Sequence, residues 1–146
     1  MKEKISTSKE KMRHYVLVGD EKSWRVAIEK NQWGFSEKNK GLWNTIKEGE
    51  LVAFYVTSPT QKIIGFGRIS EKFVSKDLLW PDEKLFKKSI WGNRIKLNVD
   101  LLVKNWNDGV KPPSDIMLNV GRKVIPEKIF KSILKDAEKK WNVKTE

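Results

Sequence analysis

Lys62-Ile63-Ile64-Gly65-Phe66-Gly67-Arg68-Ile69-Ser70, inside the longer run Lys62 to Val74, decides how this chain folds. β-Branched and aromatic residues suit a strand. Gly65 and Gly67 take side chains out of its middle, which marks a bend, a bulge or the close approach of another backbone. A long strand that kinks at its glycines coils the sheet it joins, so the stretch predicts a strongly bent sheet or small barrel. It is no phosphate-binding GxGxxG loop, because no helix follows it.

Upstream, Leu51 to Val56 is a continuous apolar run that fits a strand buried on both faces. The turn Ser58-Pro59-Thr60-Gln61 joins it to the glycine strand, and Glu48-Gly49-Glu50 turns into it. Further back, His14 to Gly19 reads as the first strand. Asp20 then caps a helix to about Lys30 whose buried stripe is Trp24, Ala27 and Ile28. Asn31 to Ser36 breaks that period. Ser36 reads as the cap of a second short helix with Leu42, Trp43 and Ile46 inside. Downstream, Ser75 to Ser89 is a loop with a short helix after Pro81, and it displays Trp80. Ile95, Leu97, Val99 and Leu101 alternate with polar residues as a strand with one wet face. Asn107-Asp108-Gly109 and Pro112-Pro113 open an irregular stretch through Gly121. Pro126 then starts an amphipathic C-terminal helix. These elements predict one α+β domain over residues 13–146, behind a flexible basic arm over residues 1–12.

Composition narrows the function. Among 146 residues, 30 Lys+Arg stand against 19 Asp+Glu, a formal charge of +11. No Cys is present and His14 stands alone, which excludes disulfides, thiolate zinc and a Cys nucleophile, and disfavours a His relay. No apolar run approaches the roughly 20 residues of a membrane span, so no membrane and no metal are expected and the expected location is the cytoplasm. Excess cation suits a polyanion through phosphate neutralisation, and 7 Trp supply faces on which bases stack.

The positions of the Trp residues matter more than their number. Trp43 and Trp141 sit at helical core spacing and read as structural. Trp33, Trp80 and Trp91 lie where the pattern is neither helix nor strand. Gly34 and Gly92 follow two of them and leave room for a ligand or another backbone. Trp24 is open to either reading, and Trp106 reads as a lid or a plug. Catalytic spacings are absent, and the adjacent acids Asp82-Glu83 read as solvated.

Tyr15 through Val74 resembles the EVE domain, a PUA-like relative of the YTH domain. Tyr15-Val16-Leu17-Val18 is similar to the family's first strand. Trp33-Gly34-Phe35-Ser36 follows, ahead of a basic-polar helix containing Asn39. Ile46 to Val56 resembles a hydrophobic, basic, Pro-Gly-Asp and Phe-Tyr block, with Glu48 for Pro and Glu50 for Asp. Ile64-Gly65-Phe66-Gly67-Arg68-Ile69-Ser70 looks like the Gly-Phe strand of YTH and EVE domains. Arg94-Ile95-Lys96-Leu97 resembles the long Arg-bearing strand of archaeal EVE proteins. The likeness covers about residues 13 to 141.

This resemblance implies a PUA-like small mixed β-barrel of about six strands with flanking helices, no catalytic apparatus and no cofactor. It implies a cleft for a modified base extruded from RNA or DNA, with Trp33 and Trp80 as its walls. A YTH residue that reads the base edge falls near Trp24, which cannot accept a hydrogen bond, so that readout does not carry over. The expected base-binding set is Trp33, Trp80, Ser36, Asn39 and Trp24, with Arg94 and Arg68 on flanking phosphates. Two alternatives stand beside this non-catalytic reader. One is an ASCH-like hydrolase acting on a modified base through a Lys and a carboxylate. The other is a basic protein-interaction module whose Trp are all structural.

Overall fold

The computed structural model describes residues 12–113 and 122–144. The arm expected over residues 1–12 lies outside them except for Met12, as do residues 114–121 of the stretch expected to be irregular. Among the described residues, six strands form one curled half-barrel sheet, flanked by four α-helices.

Strand β1 (His14–Gly19) runs parallel to β3 (Leu51–Val56), in register from His14 opposite Leu51 to Gly19 opposite Val56. Parallel neighbours need a crossover. Here it is α1 (Glu21–Lys30), β2 (Gln32–Phe35), a 3-10 turn over Glu37–Asn39 and α2 (Lys40–Thr45). All other pairings are antiparallel: β3 with β4 (Lys62–Val74), β4 with β5 (Asn93–Leu102), β5 with β2, and β1 with β6 (Arg122–Ile125). The spatial order is β2-β5-β4-β3-β1-β6. Helices α3 (Pro81–Phe86) and α4 (Glu127–Trp141) complete the chain.

The bend expected in the glycine strand is present. The β4–β5 register slips between Phe66 and Gly67, and again between Ile69 and Glu71. The first slip falls at a glycine and the second at Ser70, which sequence pattern did not mark. A Cβ on Gly67 would lie 2.5 Å from the Asn98 carbonyl oxygen, so only glycine lets β5 come that close.

Two cores flank the sheet. Tyr15, Trp24, Trp33, Phe54, Ile64 and Trp80 belong to the one covered by α1. Val16, Phe66, Phe130, Ile133 and Ala137 belong to the one covered by α4. Phe130, Ile133 and Ala137 recur at helical spacing, which is why α4 buries one stripe. His14 is structural: its ring packs 5.0 Å from Phe130, and burial lowers its pKa below 6.5. Asp20 caps α1 as read, its Oδ1 accepting from the Ser23 N–H at 2.8 Å.

One expectation fails here. Trp33 is not in an irregular segment but in β2, a short edge strand paired with β5, with Trp33 opposite Ile95 and Gly34 opposite Arg94. Gln32-Trp33-Gly34-Phe35 is too short, and too interrupted by glycine, for its period to be visible. Its ladder partner lies about sixty residues away.

Candidate functional site

Strand β2 builds the site by alternation. Its pleat turns Trp33 and Phe35 to one side, where they are buried, and leaves Gly34 facing the other. A Cβ on Gly34 would lie 2.5 Å from Trp91 Cβ and 3.2 Å from Trp80 Cζ3. The room beside this glycine is therefore filled by the Cβ and carbonyl of Trp91 and the indole of Trp80. Trp33, Trp80 and Trp91 converge on one cleft of about 200 Å³, which Gly19, Ser23, Ser36 and Asn39 also line. That volume is below the roughly 300–1,000 Å³ of drug-sized sites and suits a single planar heterocycle.

Each indole of the cleft is held by a ring stack or a hydrogen bond. Trp33 stacks on Trp24 with ring centroids 4.2 Å apart and 25° between planes. Trp24 is anchored by its own N–H, which donates to the Tyr55 carbonyl at 2.8 Å. Trp80 donates from Nε1 to the Ser23 carbonyl at 3.1 Å, tying the α3 loop to α1. Trp91 donates from Nε1 to the Asp82 carboxylate at 3.0 Å.

Beneath Trp80 and Trp91 lies a carboxylate that the sequence pattern hides. Glu83 is fully buried. Its Oε1 accepts from the Leu79 and Trp80 N–H groups and its Oε2 from those of Ile90 and Trp91, at 2.9 to 3.3 Å. The Arg94 guanidinium pairs with it at 3.4 Å. Burial pushes the Glu83 pKa up, but backbone N–H bonds from Trp91, Leu79, Ile90 and Trp80 outweigh it and hold the group below 4.5. An ionised carboxylate accepting several N–H bonds is stable inside a protein. The reading of Asp82-Glu83 as solvated acids is thus overturned: Glu83 ties both indole-bearing segments to one point. Its signal was Trp80-Pro81-Asp82-Glu83, a Pro at the first helical position with Glu two residues on.

The expected site residues divide. Trp33, Trp80, Ser36 and Asn39 come together around the cleft. Trp80 is not displayed, however; only 3% of it is exposed, and Trp33 only 8%. Trp24 does not reach the cleft: it is fully buried behind Trp33 and backs that indole. Arg94 has no surface to offer a phosphate. It too is fully buried, donating to the Trp91 and Asp77 carbonyls at 2.8 and 2.5 Å with its Cζ 5.1 Å from the Trp80 ring centre. Arg68 is exposed but pairs with Asp100 through two bonds of 3.0 and 3.1 Å, beside a different groove under α4. Trp91 joins the lining, although sequence reasoning left it outside the base-binding set.

Ser36 and Asn39 are of the residue types that usually cap helices. Each precedes a helical turn here, yet neither side chain makes a cap hydrogen bond. Both are half-buried at the cleft. No Lys or carboxylate is among the described residues lining it. Among the described residues, no group of three or more His, Cys, Asp or Glu could hold a metal, and no helix is long and apolar enough to cross a membrane.

No protein-family model matches this sequence, and no curated protein matches it. Solved structures do. A hypothetical protein from Leishmania major aligns with a TM-score of 0.64 at 9% identity, covering 90% of this chain and 98% of that one. The YTH domain of Zygosaccharomyces rouxii MRB1, solved in complex with N6-methyladenosine RNA, aligns at 0.56 and 17% identity, covering 92% and 90%. The ZmASCH protein of Zymomonas mobilis aligns at 0.55 and 8% identity, covering 84% and 94%. At such identities the likeness establishes the fold alone: the chain has the mixed α+β, PUA-like fold that YTH domains share.

Proposed function

We propose that this protein is a non-catalytic reader that takes one modified base of an RNA strand into the indole cleft. The observation that carries the reading is a ring-sized cavity lined by Trp33, Trp80 and Trp91, together with Ser36 and Asn39, whose side chains make no cap hydrogen bond. Stacking on indoles contributes about 1–3 kcal/mol per base. Two hydrogen bonds at the base edge add about 0.5–1.5 kcal/mol each. RNA is favoured because solved YTH domains with this fold carry N6-methyladenosine RNA; DNA is the competing partner. Membership of the EVE family is the finer reading, and it rests on the Trp33 to Ser36, Ile46 to Val56 and Ile64 to Ser70 motifs.

Titration with a panel of free modified and unmodified nucleosides, read by tryptophan fluorescence, tests this directly. One modified base should quench at lower concentration than its unmodified parent. Ser36→Ala and Asn39→Ala should each weaken it roughly two- to tenfold, the range set by one hydrogen bond. Equal response to every base, or none at millimolar nucleoside, would sink the reader. The hydrolase alternative requires a Lys and a carboxylate in the cleft, and any steady product formation on chromatography would replace the reader with it.

A further inference from the structure

With Arg94 buried and Arg68 paired, the cations expected to hold flanking phosphates are not available to do so. A different basic cavity is. The outer side of α1 and the loop after β5 form an open depression of about 460 Å³, lined by Arg25, Lys104, Asn105, Trp106 and Asn107 together with Glu21 and Thr60. Arg25 sits over Trp106, its Cζ 4.5 Å from the ring centre. An indole face attracts the guanidinium without using its N–H edges, which stay free for an anion. Among the described residues, neither Arg25 nor Lys104 has a carboxylate partner. The one acid in the lining, Glu21, accepts from the Thr60 hydroxyl, which turns one carboxylate oxygen to Thr60 and leaves the two cations in excess over it.

The cavity is built rather than incidental. Asn105 Oδ1 accepts from the Asn107 N–H at 3.0 Å and closes the loop on itself. Helix α4 holds the loop from outside: Trp141 Nε1 donates to the Asp108 carbonyl at 2.7 Å and Lys140 Nζ to the Gly109 carbonyl at 3.0 Å. The indole under Arg25 is itself packed against the main core. Two cations without an ion-pair partner among the described residues, one of them over an indole face, fit a phosphate, which accepts from both the planar fork of Arg and the point charge of Lys.

Helix α1 sets the relation to the indole cleft. Ser23 lines that cleft while Glu21 and Arg25 line the second cavity. Positions two apart on a helix point to nearly opposite sides, so the sites flank a helix about 10–12 Å thick. A few nucleotides span that distance. We propose that the cavity between α1 and the 104–107 loop is a backbone-phosphate subsite for single-stranded nucleic acid, with Arg25 and Lys104 as the phosphate ligands. It rests on the reader reading for the identity of the strand, whose base enters the indole cleft while its backbone crosses the first turns of α1.

The test is a salt series of affinities for a labelled single-stranded RNA and its singly modified twin, by fluorescence anisotropy. Arg25 and Lys104 are both exposed, so Arg25→Gln/Lys104→Gln should keep the wild-type melting curve. The slope of log affinity against log salt should fall by about 0.7 in the double variant, the share of the one phosphate of a single strand that is no longer neutralised. It should fall equally for both strands, with free-nucleoside binding untouched. Lys135→Gln/Lys139→Gln, on the exposed side of α4, should leave the slope unchanged. An unchanged slope in the first variant, an equal drop in the second, or equal displacement of the RNA by poly-glutamate overturns the subsite. Failure of the indole reading looks different: modified and unmodified strands bind alike and nucleosides do not bind, yet the slope still drops.

Discussion

Glu50 and Glu83 are the same residue in the same predicament, a carboxylate with 1% or less of its surface exposed, solved for different ends. Glu50 accepts from the Tyr15 hydroxyl at 3.0 Å, the Lys47 N–H at 2.7 Å and the Arg13 N–H at 2.9 Å. Its partners close the turn into β3 against the start of β1. Glu83 accepts from the N–H groups of Leu79, Trp80, Ile90 and Trp91 and pairs with a buried Arg94. Its partners are the backbone of the cleft walls. One carboxylate serves closure of the sheet and the other holds two indoles at a fixed separation. Burial alone therefore does not say what an acid is for; the segments that donate to it do.

Glu83→Ala is the largest expected break in this comparison. It leaves Arg94 buried without its partner, a loss of about 3–5 kcal/mol, and it frees Trp80 and Trp91 together, so nucleoside binding should vanish with it. Chemical denaturation and the fluorescence titration measure the two effects. Trp33→Ala should cost a similar 3–5 kcal/mol, because Trp33 is stacked on Trp24 inside the core and not simply presented to ligand. Glu50→Gln should cost about 1.5–3 kcal/mol, one charged hydrogen bond, and leave nucleoside affinity within twofold of wild type. Loss of binding in this variant, or its retention in Glu83→Ala, would erase the contrast.

Acid and base separate the two nodes more finely. The folded protein holds Glu83 ionised below 4.5, so on acidification the unfolded chain takes up that proton first. The stability Glu83 contributes is whole above pH 4.5 and is lost as pH falls through its folded value. Melting temperatures of Glu83→Gln should be flatter than wild type over that acid range. Tyr15 behaves oppositely. Burial, then the Glu50 charge, pushes its pKa from 10.0 to about 12, so its contribution is whole below pH 10 and lost as pH rises from 10 to about 12. Tyr15→Phe should flatten that alkaline decline, since Phe has no proton to lose. The smallest effects belong to Ser36→Ala and Asn39→Ala. Their melting should stay within about 0.5 kcal/mol of wild type while base affinity falls.

Much of the fold could be read from residues alone. The glycine strand, the parallel-buried run Leu51 to Val56, the Asp20 cap and the α4 stripe all appear where local pattern placed them. Each is dictated by neighbours a few residues away, through pleat, period or cap. Around the cleft, Trp33, Trp80, Ser36 and Asn39 were also legible, through composition and through motif order. Trp24, Arg94 and Arg68 were not. An indole or a guanidinium has the same local pattern whether it faces solvent or another element, and its partner sits on a different element: Trp33 for Trp24, Glu83 for Arg94 and Asp100 for Arg68.

That division has one physical cause. Period, charge and turn chemistry are short-range and write themselves into consecutive residues, so a bent sheet, a basic balance and a supply of indoles were settled before any folding. Which indole backs which, which arginine is swallowed beneath a wall and which acid ties the walls down depend on packing between separate strands, helices and loops. Only the folded arrangement, in which Arg94 and Glu83 are both sealed from water, chose among those outcomes.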